Sequence, residues 1–513
     1  MLNNKKNYLY TLFSSFGGLV ISLVLGVLTV PISLHYWGKE LYGIYALINS
    51  IIIYFSISNL GLNAAANVLI GKNSNVSVKW CIFKRSIFMG GVSISLFGLA
   101  FVMLNLVTHK WVYFIGEIPH RYFSETYWSI IFLVVFFLVN NILSMVDSIL
   151  YGFQKLYVQK FFEIFVNIFT FLSIILTIYL KQNLVFFVIC VNSVKSISYI
   201  IKAIYVYYII YKPNVVKDDF NVSLLSISEK QDTAYQTIFG SGIKFFIVGI
   251  AAMVVWNTDN LVISHFMSVD LVTPYSITFR LYTICFSIIF IINTSFLPII
   301  SKELGQNNWA LISKIHNALI VLMSVIGGLV WIGGILFLKD IIQVWTGLNG
   351  YAGSMVVICL GGYAYLLSII NVNANMLNTL NFVSAVIWVG WLEAFVNFTA
   401  SVFFLKYYGL GGVALGTFLG ALLGPWVWLP FSIVKKSNNR IQYDFKFVFK
   451  HLFFIILPCL VVGLMMTQLI HSLLLILIFG VLLSLSYLCL SYLCIPQNIR
   501  ENLNLLVLWK RRL

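Results

Sequence analysis

The chain reads as an all-α polytopic membrane protein with about fourteen transmembrane helices, arranged as two pseudo-symmetric six-helix lobes plus two C-terminal helices. Three observations predict this. Of 513 residues, 60% are hydrophobic and only 9% charged, whereas a water-soluble domain carries about a quarter of its residues charged. The apolar residues run on for lengths that cross the hydrocarbon at ~1.5 Å rise per residue. Those runs far exceed the ~10-residue alternating strands of a membrane barrel, which excludes that class.

In chain order, the expected spans are 11–36, 42–70, 82–107, 126–150, 157–180, 184–211, 240–264, 272–300, 315–338, 353–377, 383–405, 411–434, 451–471 and 473–495. Polar punctuation separates them, and the longer ones must tilt or project beyond the lipid. The first follows Lys5 and Lys6 with no small-residue cleavage site behind a short apolar core, so it is expected to be a span rather than a signal peptide. The expected organisation is an N-lobe over 1–211, a cytoplasmic linker over 212–239, a C-lobe over 240–435, and a C-terminal part over 436–513. That last part ends in RENLNLLVLWKRRL, which has the pattern of a basic interfacial helix. The longest external connection, 108–125, is too short to fold alone, and no segment could form a soluble catalytic domain.

The net charge of +16 could suggest a nucleic-acid partner, but its placement argues against one. With both termini inside, cytoplasmic segments and their flanks hold 22 of the 32 Lys and Arg residues. That asymmetry is the topology signal of a membrane protein. The seven cysteines (81, 190, 285, 359, 459, 489 and 494) stand singly, mostly in apolar runs, and read as small buried hydrophobes. There is no Walker A, HExxH or metal-spaced cluster, so neither ATP hydrolysis nor zinc chemistry is expected.

The two halves open alike. GVLTVPISLHYWGKELYGIYALINS in the first half and VVWNTDNLVISHFMSVDLVTPYSITFRLY in the second each give a long span, a short external turn and a second span. Six spans per half restore the same orientation, so these are parallel repeats enclosing a central cavity that rocks between two accesses.

Particular blocks carry a family resemblance. PISLHYWGKELYGIYALINSIIIYFSISNLGLNAAANVLI, then NTDNLVISHF with PYSITFRLYT, then WLEAFVNFTASVFFLKYYGLGGVALGTFLG resemble, in this order over about 10–435, the Wzx-type polysaccharide flippases. These belong to the multidrug/oligosaccharidyl-lipid/polysaccharide exporter superfamily. The resemblance implies a bacterial inner-membrane flippase that is not an enzyme. Its substrate would be an undecaprenyl-pyrophosphate-linked oligosaccharide (O-antigen or a related glycan), moved to the periplasmic leaflet. It further implies a cationic cavity between two lobes and, for some members, ion-coupled antiport with H+ or Na+. A monomer is expected among membrane lipids, with a polysaccharide polymerase and a chain-length regulator as partners and no cofactor. Asn59 departs from the pattern, standing where many relatives carry an acid.

The candidate residues are the charges embedded in spans, since such charges are expensive and functional by default. Lys195 and Lys202 lie seven residues apart on one face of the sixth span, with Asn192, Ser198 and Tyr199 beside them. Both suit a moving phosphate, which Lys binds as a point charge. Lys202 has two other readings, snorkelling to the interface or pairing with Glu163 at similar depth. Arg280 either contacts substrate or pairs with Asp259 in the preceding span. Asp259 and Glu393 are candidates for ion coupling, because burial disfavours the charged carboxylate. Asp147 and Lys244 lie near cytoplasmic span ends, where interfacial pairing or snorkelling competes with gating or substrate contact. Asn59, Asn63 and Asn67 mark a polar helix face that hydrogen bonding between helices would explain. The Asn371, Asn373, Asn375 and Asn378 cluster falls at a cytoplasmic mouth, and the 28 tyrosines could stack on sugars. Embedded bases (Lys195, Lys202, Lys244, Arg280) and acids (Asp147, Glu163, Asp259, Glu393) balance, so a cationic cavity requires the acids to be turned away or protonated.

Two competing readings remain. A multidrug or organic-cation extruder of the same architecture would want embedded acids in excess. A polysaccharide polymerase or acyltransferase would want a large external loop or a histidine motif, and neither is present.

Overall fold

In the computed structural model, residues 2–72, 76–107, 118–153, 155–211, 229–347, 350–380, 382–469 and 473–496 are described. Most of the 212–239 linker, most of the 108–125 loop and the C-terminal tail lie outside them, as does the side chain of Lys244. Every described element is helical: α1 (Leu2–Phe55), α2 (Leu62–Lys72), α3 (Val76–Val107), α4 (Phe123–Ser144), α5 (Val146–Gly152), α6 (Leu156–Tyr179), α7 (Leu184–Tyr205), α8 (Glu229–Phe266) and α9 (Val269–Thr294). There follow α10 (Leu297–Gly305), α11 (Trp309–Thr346), α12 (Ser354–Thr379), α13 (Val383–Tyr408), α14 (Leu410–Ala421), α15 (Val427–Lys436), α16 (Phe445–His451), α17 (Leu457–Leu469) and α18 (Leu473–Cys494).

Twelve helical segments among the described residues are long and apolar enough to span a membrane, against about fourteen expected. The difference has two sources. The first two expected spans run together in α1, which turns at Gly38, where φ is +73°; a left-handed backbone there costs glycine no Cβ clash. The seventh expected span lies in α8, which is not among the twelve.

The chain forms two compact units. One is Met1–Met253 with Ser264–Val272, and the other is Val254–Ile263 with Thr273–Leu513. In the first unit, α1 packs on α6, and α7 packs on α4 and α6. The second unit centres on α12, which is enclosed by α11 and α14 and buried through most of its length. The C-terminal helices α17 and α18 dock on α11. There the Tyr487 hydroxyl donates to the Val325 carbonyl (2.9 Å), and His451 lies 3.0 Å from Ser491.

Lipid-facing stripes are evident in the exposed large side chains. On α3, Phe88, Val92, Leu96, Leu99 and Met103 recur at three- and four-residue spacing and all stand exposed, as a helix face against acyl chains requires.

The closest helix pair is α13 with α14. Four glycines at four-residue intervals, Gly412, Gly416, Gly420 and Gly424, run along α14 and its continuation. A Cβ added to Gly412 would lie 2.2 Å from the Phe404 carbonyl oxygen, and one on Gly416 would lie 2.3 Å from the Ser401 nitrogen. On Gly420 it would come 2.9 Å from Asn397 Cβ, and on Gly424 3.2 Å from Glu393 Cα. Small residues allow such backbone approach where lipid supplies no hydrophobic drive. We expect Gly416→Val to destabilise the purified protein by about 1–3 kcal/mol through overpacking, read as a lower unfolding midpoint in detergent. Gly333→Ala, whose added Cβ meets nothing within 4 Å, should leave that midpoint unchanged or slightly raised.

Candidate functional site

In the first unit, the candidate lysines Lys195 and Lys202 lie on α7. Asn183 caps this helix by accepting from the Phe186 amide (3.1 Å), and Glu125 of α4 accepts from the Leu184 amide (2.6 Å). With its start anchored, the helix turns Ile197, Ile200, Ile201 and Ile204 outward to lipid. Val188 and Lys202, seven residues either side of Lys195 and on its face, are both buried. Lys195 itself is exposed. Its ammonium therefore opens into space on the packed side of the helix, away from the acyl chains. It has no carboxylate partner among the described residues. Ser196 beside it donates to Asn140 Oδ1 (2.8 Å), keeping that side polar.

Lys202 departs from its expected freedom. Its ammonium is buried, 2.6 Å from Asp147 Oδ1 and 4.1 Å from the Tyr199 ring centroid. The expected partner, Glu163, instead pairs with Lys160 (2.7 Å) at an exposed position on its own helix. The reason is geometric: Asp147 on α5 faces the last turn of α7, while Glu163 is held by Lys160 and Gln159 of its own helix. In this conformation Lys202 is thus committed to a carboxylate rather than available to an anionic ligand. The asparagine face is likewise structural: Asn59 Nδ2 donates to Asn141 Oδ1 (3.3 Å) and Asn63 Nδ2 to the Ser144 hydroxyl (3.0 Å).

In the second unit, Arg280 is exposed and has no acid partner among the described residues. The Asp259–Arg280 pair weighed from the sequence does not form. Asp259 Oδ2 accepts instead from the Tyr275 hydroxyl (2.5 Å) and the Thr417 hydroxyl (2.7 Å). Tyr275 and Arg280 are five residues apart, so they stand ~140° apart around α9, and a helix that aims Tyr275 at Asp259 turns Arg280 away. Arg280 shares its face with Thr273, Ser276, Thr283, Ser287 and Thr294, a hydroxyl stripe at helical spacing.

Behind that helix lies a buried polar cluster. Glu393 and Asn397 of α13 are buried beside the glycine ladder of α14. Ser401 donates to the Val413 carbonyl (3.1 Å) and lies 3.3 Å from Asn397 Oδ1. Asp259 Oδ1, Glu393 Oε1, Asn397 Nδ2 and Tyr363 Oη are buried without a hydrogen-bond partner among the described residues. A buried carboxylate with a bare oxygen and no base in reach calls for a proton or a cation. Alongside, Trp256, Phe279, Tyr282, Phe286 and Tyr363 line a small aromatic hollow.

The sequence reading singled out Asp259 and Glu393 but not Tyr275, Thr417 or Tyr363, which carry no charge to mark them. The four-residue glycine spacing over 412–424 is the signal that marks the face of α14 packed on the eleventh span, which sets the rotation that brings Thr417 to Asp259. Of the asparagine cluster, Asn373 meets His316 (3.1 Å) and Asn371 accepts from Asn293 (3.2 Å), bonds that join helices, while Asn375 donates to Asn371 within α12 (2.8 Å).

Removing one member of the Lys202–Asp147 pair leaves a buried charge alone. Lys202→Met should therefore cost about 3–5 kcal/mol of stability. Lys202→Met combined with Asp147→Leu should recover most of it, as measured by thermal unfolding of the purified variants.

Comparison with known proteins bears on this geometry. Residues 245–349 match the MatE family. The chain is 21% identical over 425 residues to the "Putative O-antigen transporter" of Salmonella typhi, covering 80% of this chain and 93% of the relative. To the protein of the same name from Salmonella typhimurium it is 25% identical over 209 residues, covering 40% and 48% respectively. Among solved structures, it superposes on the lipid II flippase MurJ in an inward closed conformation. There the TM-score is 0.67 and the identity 15%, over 94% of this chain and 98% of MurJ. It also matches an inward-facing multidrug resistance MATE family transporter of the MOP superfamily, with a TM-score of 0.61 and 12% identity over 82% and 95% of the chains. These similar proteins are transporters and flippases rather than enzymes. The chain is thus a multi-pass membrane protein with the helical fold shared by MurJ and the MATE transporters, and its sequence is similar to that of a putative O-antigen transporter along most of its length.

Proposed function

We propose that this protein is a flippase for a pyrophosphate-linked lipid oligosaccharide. It would carry an undecaprenyl-linked O-antigen or related repeat unit from the cytoplasmic to the periplasmic leaflet of a bacterial inner membrane, with both termini cytoplasmic. One observation carries the reading. The embedded acids are hydrogen-bonded, ion-paired or enclosed, whereas Lys195 and Arg280 stand exposed on polar helix faces, without acid partners among the described residues. Such cations suit an anionic headgroup. The similarity to a transporter named for O-antigen supports the substrate class.

The MatE match supports the other reading, an organic-cation extruder. Such a substrate would need acids on an open surface, and Asp259 and Glu393 are enclosed among helices. Those two acids fit coupling to a small cation, H+ or Na+, better than contact with a drug. The chain would act as a monomer, delivering its product to a polysaccharide polymerase and chain-length regulator.

Lys195→Ala and Arg280→Ala should each lower surface glycan about tenfold or more in a complementation assay, on the scale of a lost charge-assisted hydrogen bond. Lys195→Arg should retain part of the activity. Normal glycan from Lys195→Ala at matched protein level would overturn this role for the residue. Asp259→Asn or Glu393→Gln should flatten the sodium or pH dependence of flipping in proteoliposomes, while an unchanged dependence would reject the coupling.

A further inference from the structure

The inner ends of the helices in the first unit, which the proposed topology places at the cytoplasmic side, share a hydrophobic core. Ile70 of α2, Trp80 of α3, Ile149 of α5, Val158 of α6, Val206 beyond α7 and Ile238 of α8 are all buried in it. Where the chain enters this core its helices lose regularity. The second span breaks between α1 and α2, through a 3-10 turn at Ser56–Asn59 and left-handed backbone at Leu60 (φ +48°) and Gly61 (φ +70°). The fourth span breaks between α4 and α5. There the Met145 amide donates to the Ile142 carbonyl (3.2 Å), and the Ser144 hydroxyl takes the Asn141 carbonyl (2.7 Å). Past Tyr205, α7 widens into a π-helix over Val206–Tyr211.

The two breaks are joined to each other. Asn59 Nδ2 donates to Asn141 Oδ1 and Asn141 Nδ2 to the Ser58 hydroxyl (3.3 Å each), while Asn63 Nδ2 donates to the Ser144 hydroxyl (3.0 Å). Asn59 Oδ1 also accepts from the Gly61 amide (2.8 Å), fixing its own turn. The α8 backbone bears on this spot. A Cβ added to Gly61 would lie 2.2 Å from the Gly242 carbonyl oxygen, and one on Gly242 would lie 2.9 Å from the Leu60 carbonyl oxygen. A left-handed leucine held in such a seam is strain of the kind stored at switch regions. Two residues beyond the second break, Asp147 reaches back to the regular part of α7, where its Oδ1 is 2.6 Å from the buried Lys202 ammonium.

We propose that α2 and α5 swing as one block about the paired breaks at 58–61 and 145, and that the Lys202–Asp147 pair is the latch that holds this block against α7. Two joined breaks define a hinge line, whereas a single one gives only a kink. The asparagine and serine bonds lie on that line and survive the motion. The latch lies beyond it and does not. Opening uncovers the Lys202 ammonium, so an anionic headgroup and Asp147 compete for one cation. Arrival of the headgroup then holds the block open, and its departure lets the pair re-form. This exchange rests on the flippase reading, and the hinge does not.

Spin-label distances on the full-length chain in nanodiscs, with its native cysteines replaced, test the motion. One label pair crosses the hinge, through Tyr151→Cys on α5 and Ile197→Cys on α7. The control pair, Val135→Cys on α4 with Ile197→Cys, lies outside the block, and all three positions are exposed. Asp147→Asn keeps the side-chain volume but leaves Lys202 charged and alone. The hinge-crossing pair should then show a longer-distance population about tenfold or more above wild type. Lys202→Met with Asp147→Leu replaces the latch by apolar packing and should keep the wild-type distance. The control distance should stay fixed in every variant. An unchanged hinge-crossing distance in Asp147→Asn, or a control distance that moves with it, would overturn the hinge. In complementation the double variant should reach normal protein level yet lower surface glycan about tenfold, because apolar packing offers an anion nothing to exchange. Normal glycan from it would overturn the exchange at Lys202 and leave the hinge. A wild type that supports no glycan would overturn the flippase reading instead, and the label distances would still decide the hinge.

Discussion

An unneutralised charge in hydrocarbon is the constraint on which this molecule turns. Each embedded ionisable group must be paired, hydrogen-bonded, wetted or neutralised, and each described one can be assigned to one of those outcomes. Lys202 rests between Asp147 and the Tyr199 ring, and Glu163 meets Lys160 where its helix is exposed. Asp259 receives two hydroxyls. What is left over is small and specific: two exposed cations on polar faces, and a set of enclosed oxygens lacking partners. The first suits a ligand that is large, anionic and passing. The second suits one that is small, positive and briefly held.

Backbone proximity makes the second arrangement possible. Glu393 and Asn397 come close to α14 only because the opposing face carries glycine at every fourth position. A side chain there would hold the helices apart and open the buried polar atoms to lipid. The same seam brings Thr417 to Asp259 and thereby joins three helices through one carboxylate.

A shared fold is a weak guide to cargo, since unrelated functions occupy one scaffold and the site decides. MurJ and a MATE transporter both superpose on this chain at low identity. What separates an anionic lipid headgroup from an organic cation is which charges are left open. Among the described embedded charges, the exposed ones without an ion pair are basic, and the acids are ion-paired, hydrogen-bonded or enclosed.

The sequence by itself determined the solvent and the class of element. Apolar runs of spanning length can satisfy backbone hydrogen bonds in lipid only as helices, and the described part of each expected span is helical apart from short turns such as those at 60–61, 145 and 295–296. It also identified the embedded charges, because charge in an apolar run is legible one residue at a time. Their partners were not legible. Lys202 finds Asp147 fifty-five positions away, Arg280 is turned from Asp259 by the rotation of a single helix, and Thr417 reaches Asp259 across 158 residues. Such pairings depend on the rotation, depth and neighbours of each helix, and those follow from interhelical packing. In a chain where nearly every face is apolar, hydrophobic periodicity says little about which face turns inward. Only the tertiary structure, through seams such as the α14 glycine ladder, decided which charges were neutralised and which were left to work.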